Sequence, residues 1–303
     1  MQEKQVKNLA VILCVFGLGI SFFVYFRTPP PLPSEHNAPY FIPLSFHQFT
    51  PGWMPCVKVE IQEKECVFGF DLGFRGYLSA EKEVLSEIQN KSLVSTRSMW
   101  GLLGIEHPVN VYKIPKFSIG KLAFHDVSIQ EENREKGIIV KKGHEKSPQI
   151  CNGKIGWELF RTTNLFLDLE NSVIALCDSF ETIKNKFTSF TQVPLLLDQG
   201  MTEIKAKTPK GTLRCLLDTG CTYNFINIDN PDQRPLEEIV WDKTRKENFK
   251  TFYIGNFDMG KTIFHPLPIK LPIQVEAILG MEFLLKHRVF IDFSKEQIYF
   301  SIR

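Results

Sequence analysis

Apolar and polar positions alternate with a period of two over much of this chain, the spacing of strands with one face buried. Val57-Lys58-Val59-Glu60-Ile61 is one such run. A polar turn, Gln62-Glu63-Lys64-Glu65, follows it, and then the apolar stretch Cys66-Val67-Phe68-Gly69-Phe70, which ends at Asp71. The pattern predicts a hairpin that delivers a carboxylate at its end. The same pattern returns later. Ile204-Lys205-Ala206-Lys207-Thr208, the turn Pro209-Lys210-Gly211 and the run Leu213-Arg214-Cys215-Leu216-Leu217 end at Asp218, 147 positions after Asp71, and the match extends back without gaps to Met54 and Met201. Helical spacing is scarce; Glu81 to Asn90 fits a short surface helix.

Three further blocks repeat in the same order. Ile42-Pro43-Leu44-Ser45-Phe46-His47-Gln48 mirrors Val193-Pro194-Leu195-Leu196-Leu197-Asp198-Gln199. Phe117 to His125 mirrors Phe257 to His265. Ile155-Gly156-Trp157-Glu158-Leu159-Phe160 and Phe166-Leu167-Asp168-Leu169 mirror Leu279-Gly280-Met281-Glu282-Phe283-Leu284 and Phe290-Ile291-Asp292-Phe293. The period exceeds that of stacked solenoid repeats, so each copy is read as a whole lobe, 40–178 and 193–303, with a linker at 179–192. The stretch from Asp71 to Gly156 is longer than that from Asp218 to Gly280. This places an insertion in the first lobe, at Ser95–Val111 or in the solvated, Glu/Lys/Gly-rich Glu131–Ser147.

The amino terminus is different in kind. Leu9 to Phe26 is an uncharged apolar run with Lys4 and Lys7 before it and Arg27 after it. No small-residue cleavage site follows, so residues 1–28 are read as an uncleaved signal anchor, a single transmembrane helix. The lysines before the span favour a cytoplasmic amino terminus and an extracytoplasmic remainder. Residues 29–39, with Pro29, Pro30, Pro31 and Pro33, read as a semi-rigid spacer.

Composition excludes more than it selects. A hydrophobic content of 43% with 23% charged residues belongs to a folded chain, and the 26 phenylalanines favour strands. A net charge of +2 leaves no electrostatic footprint for a nucleic acid. Cys14 lies in the apolar run. The other six cysteines, Cys56, Cys66, Cys151, Cys177, Cys215 and Cys221, permit disulfides without selecting a pairing. No cysteine or histidine spacing suggests a metal site, and nothing calls for a cofactor.

The chemistry concentrates at Leu216-Leu217-Asp218-Thr219-Gly220-Cys221-Thr222-Tyr223-Asn224-Phe225-Ile226. An acid flanked by apolar strands costs free energy unless it is hydrogen-bonded or used. The duplication supplies a use, because Asp71 and Asp218 sit on equivalent turns and can meet across a pseudo-twofold axis. Two carboxyls held together cannot both ionise cheaply and share a proton. Asp218-Thr219-Gly220, its apolar sequel, the element Ile278-Leu279-Gly280 and the closing strand Val289-Phe290-Ile291-Asp292-Phe293 resemble those of the aspartic proteases, and the resemblance covers nearly all of 40–303. It implies an all-β, bilobal, pepsin-like fold made of two retropepsin-like lobes, with Asp71 and Asp218 activating a water. It also implies a substrate-binding loop set of Gly73, Thr219 and Gly220, and a hairpin flap, for which Ser98–Gly104 with Trp100 is the candidate. The partner implied is a peptide or protein substrate bound by a monomer, since both lobes are in one chain.

The first lobe departs from this pattern. Asp71-Leu72-Gly73-Phe74 has leucine where the family has Thr or Ser, whose hydroxyl helps to lock the two loops together. Lys154 breaks the apolar-apolar-Gly element ahead of Ile155-Gly156. Reduced activity, a shifted pH optimum, or a cleft that binds peptides without cutting them are the consequences to test. Asp168 and Asp292 are read as turn caps and Glu158 and Glu282 as structural. His125 and His265 are read as shared strand ends, Cys221 as a packed thiol or an oxidation-sensitive one, and Asn90-Lys91-Ser92 as a glycosylation sequon.

Overall fold

The computed structural model describes residues 39–49, 52–100, 106–132, 151–197, 200–228, 246–269 and 274–301. No helix among them is long and apolar enough to cross a membrane. The apolar run at 9–26 and the spacer ahead of Pro39 lie outside the described residues.

Strands dominate, as their alternation predicted, and they form three sheets. An eight-stranded sheet from the first half runs in the order Ser45–Phe49, Gly52–Ile61, Lys64–Asp71, Gly153–Gly156, Leu78–Glu81, Leu122–Glu132, Glu106–Ile119 and Ser92–Trp100. A second eight-stranded sheet from the other half repeats its centre. There Gly211–Leu217 lies beside Ala277–Leu279, which lies beside Phe225–Asn227. The third sheet has six strands and mixes both halves: Asn164–Asp168 pairs antiparallel with Val289–Asp292, setting Phe166 opposite Phe290. The two repeated closing strands are therefore hydrogen-bonded to each other.

The centre of each eight-stranded sheet positions an acid. Lys64–Asp71 runs parallel to Gly153–Gly156, with Asp71 opposite Gly156, and Gly153–Gly156 pairs antiparallel with Leu78–Glu81. The strand before the acid and the strand after it are thus separated by a third, inserted strand, and the acid's loop must cross over that strand's end. In the second half Leu217 lies opposite Leu279 in the same parallel arrangement. The crossing is tight enough to need glycine on the inserted strand. A Cβ at Gly156 would lie 2.1 Å from the Gly76 carbonyl oxygen, and one at Gly280 would lie 2.5 Å from that of Cys221. This is the physical content of the apolar-apolar-Gly element: apolar because the strand is buried among others, Gly because the acid's loop passes over it.

Aromatic packing fills the interior. Phe68, Phe70, Phe117, Phe124, Trp157 and Phe160 are fully buried in the first half, as are Phe252, Phe264 and Phe300 in the second. The stretch between the repeats is anchored too. Phe180 stacks on Tyr299 with ring centroids 4.1 Å apart and meets Phe187, Phe190 and Phe290. Such pairs add about 0.5–1.5 kcal/mol each beyond burial, so this segment is part of the core rather than a free spacer. The expected surface helix is present as Lys82–Glu87, with Val84 and Leu85 turned inward.

All six cysteines of the described residues are free thiols. Asp168 and Asp292 act as turn caps. Asp168 accepts from Asn171 Nδ2 at 2.8 Å and from Arg288 Nε at 2.7 Å; Asp292 Oδ1 accepts from Ser294 Oγ and the Lys295 N–H. Asn90, in the sequon, has a left-handed backbone with φ of 55°.

Candidate active site

The two repeated acids meet. A Cβ built on Gly73 would lie 2.3 Å from the Asp218 carboxyl carbon, and one built on Gly220 would lie 2.6 Å from the Asp71 carboxyl carbon. Each loop's glycine therefore backs onto the other loop's acid, and the absent side chains leave the room in which the carboxyls face each other. Asp218 Oδ1 accepts the Gly220 N–H at 2.8 Å. Asp71 is buried, and among the described residues its Oδ1 faces no N–H or hydroxyl donor.

Asp218 keeps some exposure to solvent, yet protein surrounds its carboxyl. Burial first, then the charge of Asp71 and a hydrogen bond with it, hold the Asp218 pKa well above the ordinary carboxyl value; the Lys154 ammonium and the Gly220 N–H pull it down. Two like groups in contact within a low-dielectric recess retain a proton between them. The same surroundings push the neighbouring Cys221 thiol up, through burial and then the charges of Asp218 and Asp71, and its Sγ donates to the Tyr223 carbonyl at 3.4 Å. Of its two readings this favours packing, because oxidation needs a thiolate.

The loops are locked together, but unequally. Thr219 is fully buried; its hydroxyl donates to the Phe70 carbonyl at 2.7 Å and accepts the Leu72 N–H at 3.0 Å. Leu72 is also fully buried and returns no such bond. The structure fills its place from elsewhere. Thr202, aligned with Pro55 of the first half, lies within reach of the Leu217 carbonyl at 3.2 Å and the Leu72 carbonyl at 3.3 Å, and its hydroxyl donates between them. Two hydroxyls, one on the acid loop and one just ahead of Glu203–Thr208, thus tie the backbones of the two loops together. Thr219→Val should therefore leave the Leu72 N–H and the Phe70 carbonyl buried without partners. At roughly 1–3 kcal/mol for each such group, a loss of about 2–6 kcal/mol is expected, most of it recovered by Thr219→Ser. Denaturant unfolding of the three proteins checks this.

A cation completes the site. Lys154 Nζ lies 3.3 Å from Asp71 Oδ2 and 3.7 Å from Glu132 Oε1, and Glu132 Oε2 accepts from Ser79 Oγ at 3.3 Å. Lys154, on the inserted strand, stands opposite Gly69 on one side and Ser79 on the other. Burial lowers the Lys154 pKa, but the charges of Asp71 and Glu132 outweigh it and leave the ammonium above the ordinary lysine range.

The flap candidate falls at a hairpin end. Ser92–Trp100 pairs antiparallel with Glu106–Ile119, with Trp100 opposite Glu106. Residues 101–105 and the Trp100 side chain lie outside the described residues. On the same strand, Arg97 donates to the buried Gln130 side chain. His265 is buried beside the rings of Tyr223 and Phe225, consistent with a packing role. Among the described residues no group of histidine, cysteine and acidic side chains could hold a metal.

No family model matches the sequence, and no curated protein matches it. Solved structures do match. The crystal structure of aspartic proteinase from Irpex lacteus is similar to 87% of this chain over 97% of its own, with a TM-score of 0.56 and 13% sequence identity. The chain has the aspartic-proteinase fold. At that identity the likeness is one of architecture, and the aspartic-proteinase fold here carries details that sequence reasoning missed. Lys154 was visible only as an interruption of an apolar element. Thr202 carried no signal, because its partners are backbone carbonyls. Glu132 becomes meaningful only once Lys154 is placed.

Proposed function

We propose that this chain is a membrane-anchored aspartic endopeptidase. The observation that carries the reading is the contact between the Asp71 and Asp218 carboxyls, each seated against the other loop's glycine. A pair holding one proton has a base and an acid side by side. The charged member takes a proton from water as that water adds to a peptide carbonyl, and the protonated member donates to the carbonyl oxygen. No covalent intermediate is needed. The substrate is an extended peptide, covered by the hairpin whose strands are Ser92–Trp100 and Glu106–Ile119. Gly73 and Gly220 form the floor, Thr219 lies buried beneath it and ties the two loops together, and Trp100 is the covering aromatic. One chain supplies both acids, so the unit is a monomer. The run at 9–26 anchors it with the amino terminus cytoplasmic and the catalytic part outside the cytoplasm. The Thr202 hydroxyl supports the catalytic reading over a degenerate, peptide-binding one, since it offsets the loss that Leu72 would cause.

The full chain, assayed on a mixture of unstructured peptides from acidic to neutral pH, is expected to cleave internal bonds and to be blocked by a pepstatin-type transition-state analogue. Failure to cleave at any pH, or cleavage insensitive to the analogue, rejects the proposal.

A further inference from the structure

The two acids occupy equivalent loops, but their surroundings differ in charge. Lys154 aligns with Ile278 in the other half, and Ser79, which holds Glu132, aligns with Ile226. The chain Asp71–Lys154–Glu132–Ser79 is therefore present on one side of the site only. Resting on the endopeptidase reading, we propose that Lys154 is a positioning residue. Its ammonium, 3.3 Å from Asp71 Oδ2, keeps the pair's negative charge on Asp71 and leaves the shared proton on Asp218, making Asp71 the base and Asp218 the acid.

The groups that face this pair come from five elements. Asp71 ends Lys64–Asp71, and Asp218 follows Gly211–Leu217 with the Gly220 N–H and the Cys221 thiol on its own loop. Lys154 lies on Gly153–Gly156 behind Cys151; Glu132 ends Leu122–Glu132, and Ser79 lies on Leu78–Glu81. Lys154 is the cation among them. Glu132, at 3.7 Å, takes part of its field and holds the ammonium from the side away from the dyad. With the roles reversed, the cation would face a neutral carboxyl at 3.3 Å while the carboxylate sat on the other loop. An opposite charge within about 4–6 Å favours the ionised form by roughly 1–3 pH units. Sharing with Glu132 weakens the field of Lys154 at Asp71 without reversing its sign.

The proton bookkeeping then closes. Asp71 takes a proton from water as the hydroxyl bonds to the carbonyl carbon, while Asp218 gives its proton to the carbonyl oxygen. As the carbon–nitrogen bond breaks, Asp71 passes its proton to the departing nitrogen and Asp218 recovers one from a hydroxyl of the diol. The pair returns to its starting state with the charge again beside Lys154.

The test uses the full chain labelled with ¹³C at aspartate Cγ, the two signals being assigned with Asp71→Asn and Asp218→Asn. Between the pair's two titration steps, Asp71 is expected at the carboxylate position and Asp218 at the acid position. Lys154→Met removes a cation that favours the ionised forms. Both steps should therefore rise by about one pH unit, and the two signals should draw together. Lys154→Arg should restore both, and Glu132→Gln should move the steps the opposite way. The pH profile of kcat/KM should follow, its limbs moving about one unit towards alkaline in Lys154→Met. Steps that do not move in Lys154→Met, or a carboxylate signal on Asp218 in the native protein, would overturn the assignment. If Lys154→Met does not fold, the native assignment and Glu132→Gln decide. Titrations that behave as stated in a protein that cleaves nothing would uphold the proton assignment and reject the endopeptidase reading alone.

Discussion

Asp218→Asn is expected to lower kcat for peptide cleavage by about 10³-fold or more while the protein stays folded, and Asp71→Asn should do the same to kcat. An amide in place of either carboxyl leaves the site without its acid or without its base. The two variants should part company in stability. The Asp218 carboxyl is held above its ordinary pKa, chiefly by burial and by Asp71. A carboxyl raised in the folded state contributes stability below its unfolded pKa, and that contribution is lost as pH rises through the folded value. Near neutral pH the aspartate is therefore a liability that asparagine removes. Asp218→Asn should gain Tm relative to the native chain at neutral pH, and the gain should shrink as pH falls into the ordinary carboxyl range. Asp71→Asn strips Lys154 of a partner 3.3 Å away and leaves that ammonium with Glu132, so its Tm should fall. Thermal unfolding of the three proteins at two pH values, beside the same peptide assay, checks both halves. Equal stability changes in the two variants would mean that the surroundings of the two acids do not differ as Lys154 implies.

Much of this arrangement was legible before any coordinates. Strand alternation is a local signal, and the repeat doubled it, so the hairpins that end at Asp71 and Asp218 could be read directly. That the acids would meet was also readable, since each is an unpaired charge set between apolar runs in equivalent copies. What was not readable depends on contacts between residues far apart in the chain. Asn164–Asp168 and Val289–Asp292 each look like a lobe's closing strand, and nothing in either says that it pairs with the other. Leu72 could be recognised as a lost hydroxyl. That Thr202 donates to the Leu217 and Leu72 carbonyls could not, because a carbonyl leaves no mark in a sequence. Lys154 looked like a flaw in an apolar strand because its partners, Asp71 and Glu132, are brought beside it by a parallel crossover. The even count of six cysteines permitted disulfides, yet Cys56, Cys66, Cys151, Cys177, Cys215 and Cys221 are free; small thiols fill a core as readily as they cross-link one.

The glycines provide the sharpest separation of site from scaffold. Gly73→Ala places a methyl 2.3 Å from the Asp218 carboxyl carbon and 2.5 and 2.6 Å from its oxygens; Gly220→Ala places one 2.6 Å from the Asp71 carboxyl carbon. Neither glycine is among those with a left-handed backbone, so alanine strains no dihedral at either position. The whole effect falls on the opposite carboxyl, which must swing aside. Asp218 would break from the Gly220 N–H, and Asp71 from Lys154. A displacement of about 1 Å in a reacting group costs on the order of 10²-fold in rate. Both variants should lose at least that much kcat, with Gly73→Ala the worse because its contact is shorter, and Tm should change little because a side chain, not the backbone, yields. Gly156→Ala and Gly280→Ala provide the contrast. Their methyls meet main-chain carbonyls, Gly76 at 2.1 Å and Tyr223 at 2.4 Å, which cannot move without opening the sheet. Overpacking of that kind costs about 1–3 kcal/mol or more, so these two should lose stability and activity together. Kinetics and thermal unfolding on the four alanine variants separate the classes. If Gly73→Ala and Gly220→Ala cleaved peptide at the native rate, the carboxyls could not be seated against those glycines, and the dyad would lose its geometric basis.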